Sequence, residues 1–299
     1  LAALLENPYP QPVILSRAEW TERAEAHAAR VDVWIGPYLE RRQVGSAHPV
    51  HDFLFTYYPQ RPAALRRWHP GYGVLLDDAP EYEAVKGYLD GTVSTEQLAG
   101  LRQQLVSIRA LLTATRSRPP TLGCFGLHEW AMAYRSDLRG NEIRHPWPLR
   151  LGVAGTDEVV EGNRIGCSHF DAFRFFAPQA RPLNALQPGR EDRVDFEQPG
   201  CLHAGMDLYK HAARLSPLIS SELVADAFEL AWDIRILDMR AAPYDFTGVI
   251  LEPTGEPWTS VQIETAEGKA EYVLAQREFS ERGAVVRQRL VDECERLGT

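Results

Sequence analysis

Six apolar positions, Leu98, Leu101, Leu105, Ile108, Leu111 and Leu112, follow Ser94-Thr-Glu-Gln97 and recur at helical spacing until Arg118-Pro-Pro120 interrupts them. This spacing puts them on one face of a helix, and the serine and glutamine side chains can satisfy each other's free backbone donors at its start. A one-faced helix gains most of its stability from a partner surface, so the chain must supply other apolar faces to pack against it. The same opening occurs at Ser16-Arg-Ala-Glu19 and predicts a helix to about Glu40. Three further helices are expected near 201–215, 221–240 and 269–297. The segment 51–76 is aromatic and punctuated by Pro59, Pro62, Pro70, Gly71 and Gly73, which implies short helical turns and loops.

The middle of the chain has a different texture. Pro148-Leu-Arg-Leu-Gly152, Glu158-Val-Val-Glu161 and Arg164-Ile-Gly-Cys-Ser-His169 are short, alternating and separated by glycine-containing turns, which predicts a small antiparallel sheet at about 147–176. Residues 177–200 read as an irregular connection, long enough to suggest a functional role. With no repeat or linker, the expected fold is α+β: one mainly α-helical domain over 1–299 with the small sheet in its middle. A hydrophobic share of 44% over 299 residues is enough for a substantial core and excludes a disordered chain.

The formal net charge of −9 argues against coating nucleic acid through the overall field, though arginines gather at 61–67 and 102–118. Cys124, Cys167, Cys201 and Cys294 are widely separated and form no Cys-x-x-Cys, so neither a zinc ribbon nor a disulfide framework is indicated. No stretch approaches the roughly 18 apolar residues of a membrane span, and Leu1-Ala-Ala-Leu-Leu-Glu-Asn-Pro lacks the basic flank of a signal peptide. The expectation is a soluble cytoplasmic protein without a membrane partner. Glycine-rich phosphate loops and the nucleophile elbow Gly-x-Ser-x-Gly are absent from the sequence.

Chemistry-bearing residues concentrate in a few places. On the predicted helix from Cys201, a 100° turn per residue aligns His203, Asp207, Lys210 and Arg214 in one stripe. A carboxylate between a histidine and two cations stays ionised, and Lys210 and Arg214 would suit an anionic substrate group; a solvated face with weak ion pairs is the alternative. On the next helix, Glu222, Asp226, Glu229 and Asp233 form an acidic row read as solvent-facing. Asp238 falls in the apolar sector and requires a partner, Arg235, Arg240 or an arginine from elsewhere. His128 with Glu129, His169 with Asp171, and His203 have the residue types of a two-histidine, one-carboxylate site for iron or zinc. Arg66 and Arg67 beside Trp68 and Tyr57, and Arg174 among Phe170, Phe173, Phe175 and Phe176, could hold phosphates and stack a base, or serve only as core and rim.

Several of these segments together carry a resemblance: His51-Asp-Phe-Leu-Phe-Thr-Tyr-Tyr58, Leu65-Arg-Arg-Trp-His-Pro-Gly71, Gly123-Cys-Phe-Gly-Leu-His-Glu-Trp-Ala-Met132, His169-Phe-Asp-Ala-Phe-Arg-Phe-Phe176, Pro199-Gly-Cys-Leu-His203 with Met206-Asp-Leu-Tyr-Lys210, and Leu237-Asp-Met-Arg240. Over nearly its whole length the chain resembles a bacterial family labelled 3-methyladenine DNA glycosylase. The resemblance implies a base-excision N-glycosylase or nucleobase-processing hydrolase, acting on damaged DNA or a nucleobase-like small molecule and needing no cofactor. An alkylated purine is already a good leaving group, so such an enzyme needs an aromatic pocket and a carboxylate near the developing oxocarbenium ion. The chain has no Leu-Pro-Gly-x-Gly hairpin, and its candidates come from the residues themselves: Asp207, Asp171, Glu129 and His203 for catalysis; Tyr57, Trp68, Trp130 and Phe173 as pocket walls; Arg66, Arg67, Lys210 and Arg214 for phosphates. The alternative is a metal-dependent enzyme on a small molecule, with iron or zinc held by His128, His169 and His203 and carboxylates Glu129 and Asp171 nearby. A third is a helical binding protein whose histidines and aspartates form only buried hydrogen bonds.

Overall fold

The computed structural model describes residues 13–58, 60–138 and 147–298. Helix α1 (Arg17–Gln43) starts at the predicted capping box, in which the Glu19 amide donates to the Ser16 hydroxyl while the Glu19 carboxylate accepts from the Ser16 amide. Two five-residue helices, α2 (Phe53–Tyr57) and α3 (Pro62–Arg66), occupy the proline-punctuated segment. α4 (Thr95–Arg116) is capped by Ser94 and buries Leu105, Ile108, Leu111 and Leu112 as the periodicity requires. Short helices α5 (Leu127–Ala133), α6 (Gly152–Glu161), α7 (Phe170–Phe173) and α8 (Arg193–Phe196) follow. The chain then builds α9 (Leu202–Leu215), α10 (Ser221–Ala241) and α11 (Ala266–Arg296). No helix among the described residues is long and apolar enough to cross a membrane.

The fold is mainly helical α+β, as expected, but its sheet lies elsewhere. Strands β1 (Val13–Leu15), β2 (Val74–Leu76), β3 (Tyr88–Leu89) and β4 (Thr92–Val93) pair in the order β1-β2-β4-β3. The β1–β2 pair is parallel and the rest antiparallel. The antiparallel sheet expected at 147–176 is replaced, among its described residues, by α6, α7 and isolated bridges such as Ile165 to Asn184. Thr156, Val159 and Val160 are all buried, a three-and-four spacing that belongs to a helix face and overrides the apparent alternation. The real strands have only two or three residues each, too few to display a period of two.

α10 is the axis of the molecule. α9 lies along one side of it, α1 supplies Trp34 edge-on to Phe228, and α11 packs on the remaining flank. The main core runs from Val31 on α1 to Leu297 beyond α11 and includes Trp130, Met206, Leu230 and Leu290. Smaller cores form under the sheet, with Trp20, Trp68 and Tyr82, and around Tyr244, Phe246 and Trp258. The acidic row of α10 faces partly to solvent, as expected, but its carboxylates are paired. Arg30 of α1 holds Asp226 and Glu229, Arg289 of α11 holds Asp226, Arg282 holds Asp233, and Trp68 Nε1 donates to Glu222.

Candidate functional site

Three histidines from three separate elements meet beside the C-terminal half of α10. His128 is aimed inward by the turn before α5, where Phe125 and Gly126 both adopt positive φ (48° and 69°). Glycine is required at 126 because a Cβ there would approach Ala241 Cβ to 3.2 Å in addition to the left-handed backbone. His203 lies on the first turn of α9, and His169 precedes α7. The His128 and His203 rings are 4.4 Å apart and nearly perpendicular; His169 and His203 are 5.5 Å apart. Asp238 completes the group, accepting from His128 Nε2 at 2.8 Å and from Arg235 Nη1 at 3.1 Å. One ligand atom each from His128, His203 and Asp238 lies within 4.8 Å of the others.

The same place gathers sulfur. Cys124 Sγ is 3.6 Å from His128 Nδ1, and Cys124, Cys167 and Cys201 line one small cavity with His128 and His203. Its free space is about 10 Å³, enough for a water-sized guest and no organic substrate. Burial pulls the His128 pKa down, but the adjoining Asp238 carboxylate overrides it and holds the group well above its ordinary value. For His203, burial and then the His128 charge push the value down to about 3. The neutral His203 ring therefore has a lone pair to offer, whereas His128 would have to give up the Nε2 proton it shares with Asp238 before that nitrogen could bind a metal.

Beyond His169 begins a second, charged layer. His169 Nε2 is 3.4 Å from both Glu197 Oε1 and Asp207 Oδ2, yet neither of its ring nitrogens is aligned for a hydrogen bond. Asp207 is 2% exposed and is held by Arg193 at 2.8 Å, Lys210 at 3.0 Å and the Tyr58 hydroxyl at 3.3 Å. Burial alone would raise its pKa; His169, Lys210 and Arg193 reverse this and keep it well below the usual carboxylate range. Lys210 also reaches Asp171 at 2.8 Å. Above these groups opens a cleft of about 670 Å³, lined by Tyr57, Asp171, Arg174, Arg193, Lys210 and Arg214 together with Arg190 and Glu191.

Of the residues singled out from sequence, the structure brings together His128, His169, His203, Asp207, Asp171, Lys210, Arg214 and Tyr57. It separates the others. Arg66 forms an exposed pair with Asp32, and Arg67 lies with Trp68 on a groove against Trp20 and Tyr82. Trp130 is fully buried and donates to the Ala241 carbonyl, and Trp68, which donates to Glu222, borders that groove and not the cleft above Asp207. Phe173 packs edge-on to Phe176 against the main core. Glu129 is buried 4.0 Å from Arg235, with Oε2 unbonded. Asp238 does find Arg235, whereas Arg240 pairs with Glu271.

Sequence reading missed Arg193 and Glu197, which the irregular connection 177–200 delivers, and the convergence of the three cysteines. The first left a trace, since Arg193 and Glu197 are four apart and do form a pair. The cysteines left none, because their meeting depends on how α5, α9 and the loop before α7 pack. Compared with family models, curated proteins and solved structures, the chain matches none.

Proposed function

We propose that the protein is a metal-dependent enzyme acting on an anionic small molecule, with a zinc or iron(II) ion held by His128, His203 and Asp238. The observation that supports this reading is the approach of those three ligand atoms to within 4.8 Å of one another, beside the small cavity that His128 and His203 line. Two imidazoles and one carboxylate suit either metal and leave open positions, and neighbouring thiols disfavour the hard ions magnesium and calcium. A metal there would act as a Lewis acid on a bound water, the guest for which the adjoining cavity has room. Arg235 keeps Asp238 ionised and oriented through its second oxygen, and Cys124 contacts the far nitrogen of His128, so both ligands are held from behind. Elemental analysis of purified protein is expected to give about one zinc or iron per chain, with His203→Ala losing about 90% or more of it while remaining folded by circular dichroism. Wild-type protein that stays metal-free after exposure to both ions overturns the reading.

The N-glycosylase reading retains one supporting observation. Asp207 is a buried, ionised carboxylate at the foot of a cleft bearing tyrosines and cations, which suits stabilisation of an oxocarbenium ion better than proton abstraction. Release of 3-methyladenine from alkylated DNA is its expected outcome. No release, together with no binding of duplex DNA at low salt, removes it.

A further inference from the structure

The cleft above Asp207 is built for one particular kind of charge. Its cations lie in two layers. In the lower layer Arg193 and Lys210 are already matched, by Glu197 and Asp207 and by Asp171 and Asp207 respectively. In the upper layer Arg174 shares Asp171 at 3.1 Å, and Arg190 has only the loose, solvent-exposed contact of its neighbour Glu191 at 3.9 Å. Arg214, exposed on the last turn of α9, completes this layer. Three arginines therefore face one glutamate and a carboxylate that Lys210 already occupies. Over both layers the cations Arg174, Arg190, Arg193, Lys210 and Arg214 meet the carboxylates Asp171, Glu191, Glu197 and Asp207, which leaves one positive charge uncompensated at the mouth of a cleft in a protein whose net charge is −9. The Tyr57 hydroxyl borders the same space.

We infer that this upper layer is a phosphate-binding subsite for the phosphomonoester group of a small substrate, held by Arg174, Arg190, Arg214 and Tyr57. Guanidinium forks match phosphate oxygens two at a time, and the surplus positive charge favours an anionic phosphomonoester. At about 670 Å³ the cleft has the size of small-molecule sites. A nucleic-acid backbone fits less well, because it needs a row of cations across an open face. Three arginines of the two sequence clusters are engaged elsewhere: Arg66 with Asp32, Arg116 with Gln288, and Arg118 with the backbone carbonyls of Ala114, Val194 and Glu197. The lower layer explains how such a handle would serve the centre. Lys210, Asp207 and His169 form a contiguous line of polar groups, the last two buried, from the cleft to His203, so a phosphate at the mouth acts on the metal ligands through those groups and not through open space.

This inference rests on the metal-dependent reading for what the cleft serves, but its test does not. Inorganic phosphate is titrated calorimetrically into the full chain at low ionic strength, alongside the double variant Arg190→Gln/Arg214→Gln and a control, Arg277→Gln. Both altered arginines of the double variant are at the surface, so the variant keeps its fold. Wild type and control are expected to bind phosphate, and the double variant to bind it about tenfold or more weakly. Binding no stronger than that of chloride, or equal binding by the double variant, overturns the subsite. Tighter binding of an oligonucleotide lacking terminal phosphates, lost in the same variant, also overturns it in favour of a nucleic-acid groove. Metal content is measured on the same samples: phosphate binding by metal-free protein upholds the subsite while removing the metal centre, and a metal-loaded protein indifferent to phosphate does the reverse.

Discussion

His69 lies beneath the sheet with Nδ1 3.0 Å from the Tyr88 hydroxyl, and burial, helped by the nearby Arg67 charge, pushes its pKa down to about 4. The unfolded chain takes up a proton near pH 6.5 that the folded one refuses until about pH 4. The stability this neutral ring contributes is present in full above pH 6.5 and is lost as pH falls through that window, at up to roughly 1.4 kcal/mol per pH unit. Urea denaturation at pH 7 and pH 5 is expected to show a smaller pH difference in His69→Gln than in wild type; an unchanged difference counts against this assignment. Asp207 is sensitive for the opposite reason, being a charge that others need. Asp207→Asn leaves Arg193 and Lys210 short of a partner and is expected to cost about 3 kcal/mol in the same assay, as loss of one member of a buried ion pair does. At this scale the sequence was partly readable. A lone aspartate in the apolar sector of α10 announced that Asp238 had a partner. Nothing in the linear order could reveal His128 as that partner, since a contact across 110 positions depends on packing alone.

Among the elements, the long helices were legible and the sheet was not, because a helix of more than twenty residues repeats its period several times and a three-residue strand cannot. α11 offers a clean test of what its packing demands. A Cβ on Gly268, three residues after the Thr265 cap, would lie 2.0 Å from the Gln262 carbonyl oxygen, whereas one on Gly283 meets nothing nearer than Leu208 Cδ1 at 3.8 Å. Helix propensity alone favours alanine at both by roughly 1 kcal/mol. Gly283→Ala is therefore expected to raise the melting temperature and Gly268→Ala to lower it, since the second forces the backbone of the preceding loop to move. Equal effects at the two positions would mean that α11 does not meet the 262–265 loop as described. The acidic row on α10 teaches a related lesson. Its spacing correctly put four carboxylates on one side, but two other helices brought arginines to that side, and a pattern within one helix carries no word of its neighbours.

Across the whole molecule, the arginines of α1 and α11 close around α10 through pairs in which most of the side chains are more than a third exposed. Such pairs contribute about 0.2 to 1 kcal/mol each and are screened by salt. Replacing Arg30, Arg282 and Arg289 together by glutamine removes four such pairs and is expected to lower stability by no more than about 4 kcal/mol in dilute buffer. In 1 M sodium chloride, where the screening length is about 3 Å, the difference should nearly vanish. A loss that persists in salt would assign these arginines to packing through their aliphatic stems. The clasp also has a consequence for how the protein is made. Arg30 and its partner Glu229 are 199 positions apart, and the Trp34 ring waits equally long for Phe228. At about 5 to 20 residues per second, the ribosome releases α1 roughly 10 to 40 s before the helix it will seat against exists. During that interval α1 has its capping box and the neighbours that follow soon after it, Leu65 on His27, Arg66 on Asp32 and Phe55 on Tyr38, while the side it will turn to α10 stays uncovered.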